Sequence, residues 1–539
     1  MDEFAAETKV EWREWGPEAF AAAGRAGKPV LLALRASWCE ECHEMDRTTY
    51  AEPRIAANVN DGFVPVRVDV DRHPRVRDRY NMGGFPSTVF LTPEGTVITG
   101  ATFLGVDGFR EILDAVRRTW DGSGLEAGSV PRALADADPP GGALSARVEG
   151  HMVEQLLAAY DDEFGGWGTD VKFPLPRTVE FALVRARDQA TRTLEAVRTR
   201  LTDTHDGGFY RFARNRDWSD PSREKLTDEN AALVRAFAHG YRYTGEEAYL
   251  DTAARGVDYL TTDLWTGEAF AASQGGADAY YRLAATERAD ADPPSVDDTV
   301  VAGHNALAAD ALLTVAAYTD DERARRYAER ALDALRGLVR EDGAVVHYRD
   351  GDETGTAGLL VAQARALVAL TTAGQVLGDA GPARAVADYT LDTLRAESGA
   401  FRDAPADGPG LCDRPLYPLD STAELADALV DLWALTGADR YRRAAREALV
   451  AFTDATDRMG VEVAHYAAAV ARLRDPRVVA VAAPAGSDLH RAALRLADHE
   501  TAVVPRDDRP PDGEALLIAD GDRAGGADDP PSLERLLTD

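Results

Sequence analysis

The chain has 539 residues, which is too long for one hydrophobic core and predicts several domains. Its 92 acidic residues against 60 basic ones give a formal net charge of −32, which argues against nucleic acid and anionic membranes as partners. Three cysteines are too few for a disulfide framework. Because the N-terminus shows no apolar leader and no uninterrupted apolar run approaches 18 residues, we expect a cytoplasmic protein.

Arginine supplies nearly all of the positive charge. The only lysines are Lys9, Lys28, Lys172 and Lys225. A lysine-poor chain rich in Ala, Asp and Glu resembles the proteins of halophiles, in which molar salt screens the repulsion among surface carboxylates. A GC-rich genome with an acidic bias is the alternative explanation.

Residues 1–120 are predicted to form an α/β domain. The expected elements are a helix at 17–26, strands at 29–34 and 63–68, a hairpin of 87–91 with 96–98, and a helix at 106–120. The gap of nearly thirty residues between the first two strands fits a parallel βαβ unit. The resulting order, βαβ and then ββα, is that of the thioredoxin fold.

A helical region is predicted for 147–473, after a linker at 121–146 that is rich in Gly, Pro, Ala and Asp. Apolar residues recur at offsets 0, +4, +8 and +11 in four segments, each preceded by another helix, which indicates repeated helical hairpins. The segments are Tyr249/Ala253/Val257/Leu260, Ala324/Ala328/Leu332/Leu335, Ala383/Ala387/Leu391/Leu394 and Tyr441/Ala445/Leu449/Phe452. Roughly twelve helices make six hairpins, which predicts a closed (α/α)6 barrel, with an open solenoid as the alternative.

Residues 474–539 are predicted to form a small α/β appendage. Strands are expected at 478–483 and 515–519 with a helix near 487–498, and the Pro- and Asp-rich tail is expected to be disordered. The predicted fold class is therefore multidomain: a thioredoxin fold, an all-α barrel and this C-terminal segment.

Several motifs resemble those of a known family. They are KPVLLALRASWCEECHEM, FVPVRVDVD and GGFPSTVFLTPEG in the first domain, and GGWGTDVKFP, GGFYRF, PSREKLTDENA and DDTVVAGHNAL in the helical region. The chain resembles the spermatogenesis-associated thioredoxin-like proteins, in which a thioredoxin domain is fused to a six-hairpin glycosidase-like barrel. The resemblance covers essentially the whole chain and implies that architecture. The chain departs from the family pattern at Glu40 and Glu41, where a His and a Trp are usual, and at 222–225, 228–230 and 304–305.

Cys39 and Cys42 form a CxxC motif between a predicted strand and a helix. Free N–H groups and the helix dipole stabilise a thiolate there, so Cys39, nearer to solvent, is predicted to attack and Cys42 to resolve the mixed disulfide. In thioredoxin folds the proline before the third strand is cis and lies against this motif, a role expected of Pro86, and Trp38 adds support. Inert buried cysteines are the alternative. A zinc site would lack ligands at a recognised spacing, so neither a metal nor a cofactor is predicted.

Polar residues gather where the first helix of several hairpins begins. The barrel resemblance implies that these ends line a mouth, where carboxylates paired with His or Lys suit acid–base chemistry on a sugar. Helix capping and ion pairing are the alternative roles. Glu229 and Lys225 are four residues apart and are expected to pair. The candidate cavity residues are Arg211, Glu224, Lys225, Glu229, Asn230, His304 and Asn305.

Three functions are compatible with these features. The leading hypothesis is a cytoplasmic thiol–disulfide oxidoreductase that exchanges with a protein disulfide or dithiol, or with an upstream reductase, while the barrel selects the substrate. The second is a carbohydrate-active barrel, epimerase-like or glycosidase-like, under redox control. The third is a non-catalytic binding scaffold. The CxxC motif favours the first over the third.

Overall fold

The computed structural model describes residues 8–135, 139–405, 407–519 and 521–538. The first domain contains five helices and a four-stranded sheet within this part of the chain. The helices are α1 (Pro17–Ala26), α2 (Glu40–Met45), α3 (Pro53–Gly62), α4 (Pro74–Tyr80) and α5 (Val106–Ser123), and the strands are β1 (Val30–Arg35), β2 (Val64–Asp69), β3 (Ser87–Leu91) and β4 (Val97–Ala101).

The sheet has the strand order β2-β1-β3-β4. Strand β1 pairs in parallel with β2 and antiparallel with β3, which pairs antiparallel with β4. All six residues of β1 are buried, as its uninterrupted apolar run predicts for a central strand. This is the predicted thioredoxin-like arrangement, and the Phe85–Pro86 peptide bond before β3 is cis, as expected.

The segment after α5 is more structured than the linker expected at 121–146. Helix α5 continues to Ser123, and Ser129 and Val97 exchange two backbone hydrogen bonds of 2.9 Å each. The edge strand β4 thereby gains a partner, which offsets the unpaired backbone groups that an edge exposes. The expected linker start is therefore too early, although positions 136–138 lie outside the described residues.

Twelve helices of at least ten residues follow in the described chain between 139 and 475. They are α6 (Arg147–Ala159), α7 (Pro176–Arg185), α8 (Arg187–Arg200), α9 (Thr227–Thr244), α10 (Glu247–Thr262), α11 (Ala302–Thr319), α12 (Glu322–Gly337), α13 (Leu360–Leu377), α14 (Ala383–Thr393), α15 (Leu419–Thr436), α16 (Asp439–Val450) and α17 (Ala464–Arg474). Six of these helices contact one another in the order α7, α9, α11, α13, α15 and α17. The last of them, α17, packs against α7. The six inner helices therefore close into a ring, and the other six lie outside it.

Burial explains which helices are inner. In α11 every residue from Ala302 to Ala317 is buried, whereas α12 buries only the stripe of Ala324, Ala328, Ala331, Leu332 and Leu335. An all-round apolar helix belongs in the core, and a striped helix belongs on the outside. Helix α13 is long and apolar enough to span a membrane by length and composition, but here it is an inner helix packed between α11 and α15.

The inner helices all point the same way. Their first turns meet one another at the barrel mouth, where Asp228 of α9 pairs with Arg365 of α13 at 3.1 Å. Their last turns face the C-terminal segment, where Arg242 of α9 donates to the Leu496 carbonyl at 2.5 Å and Arg185 of α7 pairs with Glu500 at 2.6 Å. The barrel is thus covered by the thioredoxin-like domain at the mouth and by the C-terminal segment at the other end.

The C-terminal segment repeats the strand arrangement of the first domain. It contains strands β5 (Arg477–Val481), β6 (Ala502–Pro505), β7 (Ala515–Ala519) and β8 (Asp522–Ala527), with helices α18 (Asp488–Leu496) and α19 (Pro530–Thr538). The order is β6-β5-β7-β8, with β5 parallel to β6 and antiparallel to β7. The expectation of a disordered tail is wrong for 522–527 and 530–538, because β8 pairs with β7 and Leu533 is buried. The loop after β5, at 482–487, contains no cysteine.

Candidate functional site

The CxxC motif forms a disulfide at the start of α2. Strand β1 leads directly into it, and Cys39 is the N-terminal cap of α2. The Cα atoms of Cys39 and Cys42 are 5.2 Å apart, and the backbone N–H of Cys42 donates to Sγ of Cys39 at 3.1 Å. The same N–H also donates to the Cys39 carbonyl at 3.1 Å, so it is shared between that oxygen and the sulfur, on which it stabilises negative charge.

The expectation that Cys39 lies near solvent is wrong. Cys39 and Cys42 are each only 2% exposed. The barrel covers the motif: Arg211 lies 4.4 Å above the Trp38 ring, and the Gly276 N–H donates to the Trp38 carbonyl at 3.3 Å. These contacts join residues far apart in the sequence, and nothing in the local spacing around the motif indicates them.

Both glutamates of the motif have cationic partners. Glu40 pairs with Arg47 at 3.0 Å within the first domain. Glu41 pairs with Arg214 of the barrel at 3.0 Å. The carboxylates are 45% and 44% exposed, so each pair contributes only a fraction of a kcal/mol to stability. The effect of the pairs is local, because Arg47 and Arg214 offset the negative charge of Glu40 and Glu41, which would otherwise disfavour a thiolate on Cys39.

A cavity of about 310 Å³ separates the two domains beside the motif. We call it the mouth cavity. Its wall on the thioredoxin-like side consists of Trp38, Val70, Asp71, Pro74, Arg77, Asn81 and Phe85. Its wall on the barrel side consists of Arg211, Leu226, Asp228, Glu229, Val301, Gly303, His304, His347, Val361, Ala362 and Arg365.

Asp71 connects the motif to the cavity. It follows β2, and because β1 and β2 are parallel, Asp71 and Trp38 leave the sheet at the same edge. Trp38 Nε1 donates to the Asp71 carboxylate at 2.8 Å, and His347 Nε2 donates to the Asp71 carbonyl at 2.7 Å. Burial raises the pKa of Asp71, and it lowers the pKa of His347 to about 4.

The acidic groups of the barrel wall differ in their ionisation. Burial alone would raise the pKa of Asp228, but His304 at 3.6 Å and Arg365 at 3.1 Å lower it to about 2. Enclosure between the domains raises the pKa of Glu229 to about 7, with Asp228 adding to the shift and Arg211, at 3.1 Å, opposing it. Oε2 of Glu229 and Nδ1 of His304 have no hydrogen-bond partner among the described residues. The wall therefore combines a carboxylate held by His304 and Arg365 with two polar atoms that have no hydrogen-bond partner among the described residues.

Of the predicted cavity residues, Arg211, Glu229 and His304 line the mouth cavity. Glu224 lies behind Arg211, with 3.7 Å between the charged groups, and accepts hydrogen bonds from Ser222 Oγ at 2.8 and 2.9 Å. Burial raises the pKa of Glu224.

Asn230 and Asn305 do not line the cavity. Asn305 accepts from the Phe270 N–H at 2.8 Å and donates to the Phe270 carbonyl at 3.0 Å. Asn230 makes the same pair of hydrogen bonds to Phe209, at 2.7 and 3.2 Å. Both asparagines occupy the fourth position of an inner helix, and each fastens the loop that precedes that helix. Asn230 lies 19 residues before Tyr249 and Asn305 lies 19 residues before Ala324, and these equal offsets reflect equivalent structural roles.

Lys225 also lies elsewhere, and the expected Lys225–Glu229 pair does not form. Lys225 precedes α9, is fully buried, and donates to Asp203 at 2.9 Å and to the Gly207 carbonyl at 2.7 Å. Lys172 repeats this arrangement with Asp161 at 2.9 Å and the Gly165 carbonyl at 3.0 Å. Two of the four lysines thus fasten Gly-Gly loops of successive repeats.

Sequence reasoning missed Asp71, His347 and Arg365. Arg365 carries a weak signal, since it is a cation near the start of an otherwise apolar inner helix. Asp71 and His347 carry none, because they become site residues only through the contact between the two domains.

A second cavity, of about 170 Å³, lies along the barrel axis toward the C-terminal segment. Its charged side chains pair with one another: Arg235 donates to both carboxylate oxygens of Glu180 at 2.7 and 2.8 Å and pairs with Asp310, and Arg472 pairs with Asp427 at 2.7 Å. Such a network holds the core together and lies away from the disulfide. In the described parts of the chain no three His, Cys, Asp or Glu side chains group to hold a metal ion.

Comparisons with known proteins agree with the N-terminal geometry. The family model Thioredox_DsbH, described as a protein of unknown function, DUF255, matches residues 3–133. This region is thioredoxin-like. Human spermatogenesis-associated protein 20 is 28% identical over 294 residues, which are 47% of this chain and 37% of that protein, so the chain spans little more than a third of this relative's length. The resemblance inferred from the sequence motifs is confirmed over this part of the chain.

A shorter match is also found. The thiol:disulfide interchange protein DsbD 1 of Pseudomonas aeruginosa is 32% identical over 104 residues, or 19% of this chain and 17% of that protein. Among solved structures, a sugar epimerase from a ruminal bacterium is similar with a TM-score of 0.47 and 15% identity, over 56% of this chain and 84% of that one.

Proposed function

We propose that the chain is a thiol–disulfide oxidoreductase in which Cys39 attacks and Cys42 resolves, while the barrel selects the substrate. The observation that carries the proposal is the disulfide at the start of α2, with the Cys42 N–H aimed at Sγ of Cys39 from 3.1 Å. This donor and the helix dipole favour a thiolate on Cys39 over one on Cys42. The ion pairs of Glu40 and Glu41 support the same charge state.

The chemistry balances without a further cofactor. A substrate thiolate attacks Sγ of Cys39, the Cys39–Cys42 bond breaks, and Cys42 leaves as a thiolate that takes up the proton. A second substrate thiolate attacks the mixed disulfide, which releases the oxidised substrate and leaves Cys39 as a thiolate. Two electrons pass from two substrate thiols to the protein, and the reverse steps reduce a disulfide substrate.

The test measures the acceleration by the whole protein, above the rate without protein, of cystine reduction by dithiothreitol in high salt. We expect Cys39→Ser to abolish it and Cys412→Ala, which keeps the motif intact, to retain it. Circular dichroism of both variants establishes that they are folded. Undiminished activity in Cys39→Ser would refute the proposal.

A second function is favoured by the unpartnered Oε2 of Glu229 and Nδ1 of His304, which lie on the same cavity wall. We propose that these groups perform acid–base chemistry on a carbohydrate bound in the mouth cavity. A panel of mono- and disaccharides is screened by thermal shift, with Glu229→Gln and His304→Asn as variants. If no sugar raises the melting temperature of the wild type, this second function is discarded.

A further inference from the structure

We infer that the redox site serves low-molecular-weight thiols and disulfides, and that the barrel excludes folded proteins from it. The inference rests on the proposed oxidoreductase function and names its substrate class. It replaces the protein substrate expected from the sequence.

The first step concerns the surface around the disulfide. A protein substrate must lie across the residues that flank the sulfur atoms, and here the barrel occupies that surface. Ser37 donates to Asp297 at 2.5 Å, the Trp38 carbonyl accepts from Gly276, and the Trp38 ring lies under Arg211. With each cysteine 2% exposed, no polypeptide can contact Sγ of Cys39 while these contacts persist.

The second step concerns how firmly the barrel holds this position. Arg79 of the first domain has a fully buried side chain and donates to Asp403 of the barrel at 2.8 and 3.1 Å. It also donates to the carbonyls of Leu411 at 2.9 Å and Arg414 at 2.7 Å. Opening the interface would leave this guanidinium without four hydrogen bonds to the barrel, so the closed arrangement is strongly favoured.

The third step concerns the space that remains. The mouth cavity of about 310 Å³ is at the lower end of the range of roughly 300–1,000 Å³ that small-molecule sites span. Trp38, which directly precedes Cys39, and Phe85 form part of its wall, with their ring centroids 6.0 Å apart. Asp71, His304 and Arg365 add polar and charged groups to a wall that is otherwise partly apolar, which suits a small molecule with charged groups, such as free cysteine.

The experiment compares two reductants of the Cys39–Cys42 disulfide in the whole protein. Free cysteine is the small thiol and reduced thioredoxin is the protein dithiol, and alkylation followed by mass spectrometry counts the thiols formed over time. At equal thiol concentration we expect reduction by thioredoxin to be at least tenfold slower than reduction by cysteine. Asp403→Ala, which removes the partner of Arg79, should raise the thioredoxin rate at least tenfold and leave the cysteine rate within twofold.

The matched control is Arg323→Ala, which breaks the exposed pair with Asp258 on the outside of the barrel and should change neither rate. If Asp403→Ala does not fold, Arg72→Ala replaces it, because Arg72 donates across the same interface to Thr299 at 2.9 Å and Asp350 at 2.7 Å. Equal rates with both reductants in the wild type, or a thioredoxin rate that the folded interface variant does not raise, overturn the inference. If neither reductant reduces the disulfide, the proposed oxidoreductase function itself fails.

Discussion

Asp203 accepts hydrogen bonds from two buried cations, Lys225 and Arg288, and substituting it tests how much these ion pairs stabilise the barrel. Its carboxylate, 1% exposed, accepts from Lys225 at 2.9 Å and from Arg288 at 3.0 and 3.1 Å, and those side chains are 0% and 5% exposed. Asp203→Asn keeps the shape but leaves the buried Lys225 facing a neutral amide, while Arg288 keeps its ion pair with Asp206 at 2.8 Å. Removing one partner of a buried ion pair costs about 3–5 kcal/mol of unfolding free energy.

Lys225→Met is the matched comparison. It removes one cation, leaves Asp203 paired with Arg288, and sacrifices the hydrogen bond to the Gly207 carbonyl, a loss of about 1–3 kcal/mol. Guanidinium unfolding at constant high salt, followed by circular dichroism, measures both losses. We expect Asp203→Asn to be the more destabilising variant by about 2 kcal/mol. A larger loss in Lys225→Met would refute this account.

The same carboxylate has a defined pH dependence. Burial by itself would raise the pKa of Asp203. The opposing effect of Lys225 and Arg288 is larger, so the pKa of Asp203 lies below its ordinary value. Its contribution to stability is therefore full above the unfolded-state pKa, near 4, and is lost as the pH falls through the lower folded-state value. Asp203→Asn should lack this part of the acid-induced loss.

Three further outcomes are expected. The pKa of Glu229 is raised to about 7, so the wild type should lose stability relative to Glu229→Gln as the pH rises from about 4.5 to 7. Above pH 7 the difference in stability should stay constant, and melting temperatures of both proteins measure it. Asn305→Ala should cost about 3 kcal/mol of unfolding free energy, since it leaves the buried N–H and carbonyl of Phe270 unpaired. If the charge of −32 is an adaptation to salt, the melting temperature should rise from low to molar KCl, and a flat profile would favour genome composition.

The spacing of apolar residues predicted the helices and strands well, because it reflects which faces of each helix or strand are buried. The apolar run of β1 reports burial on both faces, and the stripe from Ala324 to Leu335 reports an outer helix with one buried side. The cysteines after β1 reveal the CxxC motif at the start of a helix, since strand, CxxC and helix are adjacent in the chain. Each of these inferences needed only a few consecutive residues.

The site was predicted only in part, because its geometry depends on contacts between distant segments. Lys225 finds its partner 22 residues upstream and not four residues downstream, since it precedes the helix that a four-residue spacing assumes. The offset of Asn305 matches that of Asn230, but an offset does not say which way a side chain points. His347 contacts Asp71, which lies 276 residues earlier in the sequence, and no periodic pattern of residues predicts that contact.

The common direction of the six inner helices gives the barrel an electrical polarity. Each helix carries roughly half a positive charge at its first turn and half a negative charge at its last. Asp228 and Glu229 in the first turn of α9, and Arg185 and Arg242 in the last turns of α7 and α9, suit this polarity, whereas Arg177 in the first turn of α7 opposes it. The positive helix ends therefore lie at the end of the barrel that the thioredoxin-like domain covers, where burial between the domains reduces screening by salt. The barrel thus contributes to the electric field in the mouth cavity beside Trp38.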